Sequence, residues 1–396
     1  MSESHLLIDD VQLWDGTGSP AQSKRSVEVR NGRIHWVGAA SEWQGNRTSV
    51  RVIDGRARTL IPGLMDCHVH YSSPGGPEWI ARFSDPLPEI SMRALELAET
   101  SLRSGVTTAR DVGAPQGVSI KLARMARAGE IRAPNIRAAG TWIAHRGTYV
   151  SFARHFGDAS ELRAVISAEI ETGVDLIKVA LSSWNEGSRP ESAPDIPFDE
   201  KLLAVAVGEA HSAGFRIACH ANDPISCRIA AHAGVDSLEH GMFLQTEDLE
   251  AMRKNKTFLV PTMSVWDAML YFARAVDWPE TRRKRAEDLR QGSRSSVISA
   301  HKAGVRIALG TDAGGGAARH GRIVREAELM VECGMEPDDA LIAGTSSAAK
   351  LIGETERGSI KEGMIADLVL LDANPLENIS ALRLVAAVFQ NGRRVA

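Results

Sequence analysis

With 396 residues, 43% of them apolar and 24% charged, the chain has the balance of a folded globular protein, large enough for two domains or one large body with additions, and not of a disordered or fibrous one. A net charge of -4 and the lack of any long basic run exclude a nucleic-acid footprint. The densest basic cluster, Arg282, Arg283, Lys284 and Arg285, is flanked by Glu280, Glu287 and Asp288 and reads as a solvated helix face.

Four scattered cysteines (Cys67, Cys219, Cys227 and Cys333) form no CxxC and no disulfide framework, which predicts a reducing, cytoplasmic setting. There is no basic-then-apolar leader and no apolar run long enough to span a bilayer, so a soluble, unprocessed protein is expected.

From Leu6 to about Leu60 short alternating strands are broken by turn residues, with Asn31-Gly32 placed as a hairpin turn. The last forty residues repeat the pattern, with a second such turn at Asn391-Gly392. These two β-rich ends predict one small β-sandwich domain built from residues 1–61 and 358–396.

Between them apolar runs alternate with amphipathic stretches, the signature of a parallel α/β architecture. Eight candidate strands lie in "LIPGLMDCHVH", "GVTTARDVG", "NIRAAG", "VDLIKVAL", "FRIACHA", "VDSLEHG", "TFLVPT" and "VRIALGTDAG". Predicted helices fall between them at Ile90–Arg103, Glu161–Glu171, Lys201–Ala213 and Asp248–Asn255. Eight βα units over residues 62–357 predict a (β/α)8 TIM barrel, whose chemistry sits at the C-terminal ends of its strands.

Those ends carry metal-competent groups. His68 and His70 close the first strand at a spacing that points both rings to one side. Lys178, His220, His240 and Asp312 close later ones. Imidazole and carboxylate donors without clustered cysteine suit a catalytic zinc site that leaves a position open for water. Lys178 is the odd member, because burying its charge costs several kcal/mol unless it is paired or neutralised. Snorkelling from the strand end or conversion to an anionic carbamate by carbon dioxide would each meet that cost.

The residues "DCHVH", the lysine on the fourth strand, single histidines on the fifth and sixth, the aspartate on the eighth and the flanking "GSIKEGMIADLVLLDANPL" resemble the amidohydrolase superfamily over nearly the whole chain. The stretches "AAHAGVDSLEHG" and "HGRIVREAELMVECGM" are most similar to its imidazolonepropionase-like and prolidase-like branch. The resemblance implies two Zn2+ or similar divalent ions. One would be held by His68, His70 and Asp312 and the other by His220 and His240, with carboxylated Lys178 and a hydroxide bridging them.

It further implies hydrolysis of a carbon–nitrogen bond in a dipeptide or N-acyl amino acid, with carbamates and xenobiotic amides behind them. Asp312 would pass the proton from hydroxide to the departing nitrogen. A small-molecule substrate and a homo-oligomeric assembly are expected.

The loop "GTWIAHRGTYVSFARHFG" after the third strand is the richest source of substrate contacts. Relatives of the prolidase-like branch polarise the scissile carbonyl with a histidine from a "GGH" loop. The counterpart here is His145, in "IAHRG". Arg146, Tyr149 and Arg154 are further candidates from this loop, Trp142, Trp184 and Trp266 could line the pocket, and His320 is open. Two other readings remain: a mononuclear deaminase using Asp223 of "HAND" as proton shuttle, and a non-catalytic scaffold on the same fold.

Overall fold

The structure is a computed structural model that describes residues 5–182 and 198–396. Trp184 lies outside the described residues.

Both chain ends enter one eight-stranded sheet. Strand His5–Leu13 pairs antiparallel with Gln22–Arg30 and parallel with Arg51–Asp54 and Thr59–Pro62, shifting register between Ile8 and Val11. Leu368–Leu371 comes from the other end of the sequence and pairs antiparallel with Thr59–Pro62, setting Leu370 opposite Leu60. Alternation explains the pairing, since Leu6, Ile8, Val27, Val29, Leu60, Leu368, Leu370 and Phe389 point into one shared core cluster. Asn31-Gly32 and Asn391-Gly392 all have positive φ, as two-residue hairpin turns require, and the two tips touch: a Cβ on Gly392 would lie 2.8 Å from the Gly32 Cα.

The middle of the chain is mixed α/β with parallel strands. The eight apolar runs form strands at Leu64–Val69, Val106–Asp111, Asn135–Ala138, Leu176–Ala180, Arg216–Ala221, Ser237–His240, Phe258–Val260 and Arg306–Ile307. The first three make one parallel sheet and the last five belong to another. Isolated parallel bridges Ala139–Leu176 and Val69–Ala313 link the two at both edges, supported by hydrogen bonds from Asp175 N to Ala138 O and from Cys67 N to Leu309 O, each 2.8 Å.

Helices fall where amphipathic spacing placed them, at Leu87–Arg103, Ala159–Glu171, Glu200–Ser212 and Thr246–Asn255. Their apolar faces and the strands share one large core. Two three-residue strands, Ile143–His145 and Arg154–Phe156, extend the second sheet at its edge from what periodicity reads as loop. At that length a strand leaves no periodic signal.

Arg282–Arg285 lie on the largely exposed start of helix Glu280–Ala303, where the Arg282 guanidinium stacks 3.7 Å above Trp278. All four cysteines are buried and unpaired, and among the described residues no helix is long and apolar enough to cross a membrane.

Candidate metal centre and active site

Strand polarity carries the site. Each parallel strand delivers its last residues to the same end, so groups scattered from position 68 to 312 meet there.

His68 Nδ1 lies 2.7 Å from Glu239 Oε2 and His70 Nδ1 lies 2.9 Å from the Gly113 carbonyl oxygen. Both partners are acceptors, so each ring places its proton on Nδ1 and keeps a lone pair on Nε2 when neutral. Burial, then the charge of Lys178, holds His68 neutral by pushing its pKa well below the usual imidazole range. Both Nε2 atoms stand 3.4 Å from the same oxygen, Asp312 Oδ1. Electron-pair donors thus converge without enough protons to separate them, an arrangement that a cation would stabilise. His68, His240 and Asp312 each present a ligand atom within 4.8 Å of the others.

His220 and His240 meet directly, His220 Nδ1 to His240 Nε2 at 2.8 Å, and His240 Nδ1 is 2.7 Å from Thr262 Oγ1. Lys178 is 2% exposed, and its Nζ has no hydrogen-bond partner among the described residues. Burial is the main cause that lowers its pKa to about 8, with Arg110 lowering it further and Glu239 and Asp312 opposing. A snorkelling lysine would reach solvent; this one does not.

The backbone is strained at the same place. His240, Thr262 and Asp312, at the ends of the sixth, seventh and eighth strand segments, all adopt left-handed φ of 69°, 48° and 52°. Such conformations cost on the order of 1–3 kcal/mol each and cluster where function holds them. Gly315 is required beside them, because a Cβ there would sit 2.2 Å from Asp312 Oδ1. The Asp312 carboxylate therefore lies over the glycine turn facing the histidines. The turn closes through its backbone, Gly315 N donating to Asp312 O at 2.9 Å.

Several groups escaped sequence reasoning. Glu239 is fully buried between His68 and Arg110, whose Nη2 donates to Glu239 Oε1 at 2.7 Å and whose Nη1 donates to Ser237 Oγ at 2.8 Å. Asp66 accepts from Thr311 N at 3.0 Å and Thr311 Oγ1 at 2.7 Å, tying the turn that carries Asp312 to the first strand. Glu326 accepts from Met263 N and Ser264 N at 2.8 and 2.7 Å and so fixes the segment that brings Thr262 to His240. The signal for the first pair was present: "TARD" and "SLEH" put charges inside strands that must be buried on both faces.

The loop candidates separate. Tyr149 rests against His220 with ring centroids 5.0 Å apart, and Trp142 packs 5.2 Å from His70 with its indole N–H spent on Val112 O. Trp266 stands 6.1 Å from His240. The His145 ring packs on Phe156 instead, with Nδ1 donating to its neighbour's carbonyl, Arg146 O, at 3.0 Å. Arg146 pairs with Glu161 at 2.7 Å and Arg154 pairs with Glu169. His320 is buried, stacked on Tyr71, and donates to Ser73 O at 3.1 Å, and burial lowers its pKa to about 4.

Asp223 caps helix Pro224–Ala233, accepting from Ile225 N and Ser226 N at 3.0 Å each. Replacing it with Ala is expected to cost about 1 kcal/mol of stability, the usual value of such a cap, in a denaturant titration. Turnover should stay within about threefold; a collapse of activity at unchanged stability would return Asp223 to the chemistry.

Strand-end histidines around a buried lysine and an aspartate, on an α/β body, form a group that could hold a metal ion. The amidohydrolase family model matches residues 59–395, and the chain belongs to that family, in its prolidase-like and imidazolonepropionase-like part. It is a hydrolase acting on carbon–nitrogen bonds.

Among relatives, the chain is 26% identical to an ochratoxinase of Aspergillus niger, over 95% of this chain and 83% of that protein. It is 25% identical to an imidazolonepropionase of Streptomyces griseus, over 98% and 97%. It is also similar to the crystal structure of a Xaa-Pro dipeptidase with methionine bound in its active site, with a TM-score of 0.87, 29% identity and 99% of both chains covered.

Proposed function

We propose that this chain is a binuclear, zinc-dependent amidohydrolase that cleaves the amide bond of a dipeptide or N-acyl amino acid. The observation that carries the reading is the convergence of His68 Nε2 and His70 Nε2 on Asp312 Oδ1 at 3.4 Å, beside the unpartnered amine of Lys178. The likeness to a Xaa-Pro dipeptidase supports the substrate class.

His68, His70 and Asp312 would hold one ion and His220 and His240 the other, with carboxylated Lys178 as the shared anionic ligand. Such a pair supplies Lewis acidity for the carbonyl and a hydroxide nucleophile at neutral pH. The chain's own residues do the rest. Glu239 and Gly113 orient the two imidazoles, and the missing side chain at Gly315, where a Cβ would clash with Asp312 Oδ1, leaves room for the Asp312 carboxylate, which would take a proton and hand it to the leaving nitrogen. Trp142 and Phe83 wall the His70 side and exclude water.

In the same reading the two linked parallel sheets close as a (β/α)8 barrel, and the terminal sheet folds over its core as a composite sandwich domain. The test is turnover by zinc-loaded protein of a panel containing dipeptides, N-acyl amino acids and aryl carbamates, with metal content measured in parallel. Release of free amino acid at two metals per chain is expected; full activity at one metal per chain would sink the binuclear mechanism.

A further inference from the structure

The amide-hydrolase reading leaves open which protein group meets the carbonyl oxygen as it gains negative charge. We propose that the Tyr149 hydroxyl is that hydrogen-bond donor, and that it acts in the place expected of His145; the inference rests on the amide-hydrolase reading.

Four observations carry it. The Tyr149 ring lies against two site groups at once, 5.0 Å from His220 and 5.3 Å from Trp142. Tyr149 is held at φ 62°, a left-handed conformation that a bulky side chain adopts only under constraint.

The constraint is visible in the loop. Thr148 N and Oγ1 both donate to His145 O, at 3.0 and 2.8 Å, and Arg146 N donates to Phe156 O at 2.8 Å. The same loop bonds turn His145 onto Phe156, whose ring packs 4.8 Å from Phe198.

Most other donors nearby are committed. Arg146 and Arg154 are in ion pairs and the Trp142 N–H is bonded to Val112 O; the buried Trp266 N–H has no partner among the described residues, but its ring stands farther from the histidines, 6.1 Å from His240. The Tyr149 hydroxyl, on a half-buried residue, has no hydrogen-bond partner among the described residues. No proton moves in this role: hydroxide adds to the carbonyl carbon, and Tyr149 donates a hydrogen bond to the oxygen that takes up the electron pair.

Tyr149→Phe keeps the ring against His220 and removes only the donor. In zinc-loaded protein kcat on a dipeptide should fall about 100-fold, the low end for removing one such donor, with KM within about threefold. Calorimetric affinity for a phosphonate analogue, with tetrahedral phosphorus in place of the carbonyl carbon, should fall by a comparable factor at unchanged metal content. Values of kcat and phosphonate affinity within about threefold of wild type, or a loss confined to KM, would overturn the assignment while leaving the amide-hydrolase reading intact. A wild-type protein that turns over no member of the panel removes the reading and this assignment with it.

Discussion

Lys178→Ala is expected to lower turnover more than about 100-fold and to reduce bound metal below two ions per chain. Changes in the groups that merely orient a ligand typically cost 10–100-fold, so removal of the proposed shared ligand itself should exceed that range. The structure makes the lysine's burden specific, because it is 2% exposed, its amine lacks any hydrogen bond among the described residues, and its charge disfavours protonation of the neighbouring His68 and His220. A short carboxylate added to the variant should restore part of both metal content and activity, since it can occupy the space of the proposed carbamate.

Wild type should also show a pH dependence in forming the site. Only the neutral amine reacts with carbon dioxide, and burial lowers the Lys178 pKa to about 8. Activation of metal-free protein by zinc at a fixed concentration of dissolved carbon dioxide should therefore accelerate as pH rises toward and through 8. A rate that falls over that interval, or a Lys178→Ala variant with wild-type metal content, would refute the bridging role.

The second large effect is expected on stability. Arg110→Met removes the cation bonded to Glu239 at 2.7 Å and leaves a fully buried carboxylate without its counter-charge, a change that costs about 3–5 kcal/mol. The loss should be partly recovered in the double variant Arg110→Met, Glu239→Gln, which no longer buries an unpaired charge. Equilibrium denaturation of the two singles and the double measures this coupling directly. Glu239→Gln alone should weaken metal binding about 10–100-fold, because the amide is a poorer acceptor for His68 Nδ1. Additive stability losses in the cycle would show that Arg110 and Glu239 do not act as a pair.

The eight strand runs, the helices between them and both Asn-Gly turns were legible because each rests on a local pattern: apolar runs, 3.6-residue periodicity, or the need for positive φ. Among the proposed ligands, residue type and strand-end position brought out His68, His70, Lys178, His220, His240 and Asp312 before any coordinate. The short strands Ile143–His145 and Arg154–Phe156 left no such pattern.

What tertiary structure alone decided is the partner of each group. The chain alone could not tell whether Lys178 reaches solvent or is sealed, because that depends on strands 40 and more residues away. It could not separate His145 from Tyr149, four positions apart in one loop, because backbone geometry and the Phe156 contact choose which ring turns toward His220. Nor could it pair Arg110 with Glu239, 129 positions apart, although both sit in strand runs. Local sequence determined the elements and the kinds of atom at their ends. Long-range packing decided which lone pairs face one another, and that arrangement, more than the count of histidines, argues for a metal centre.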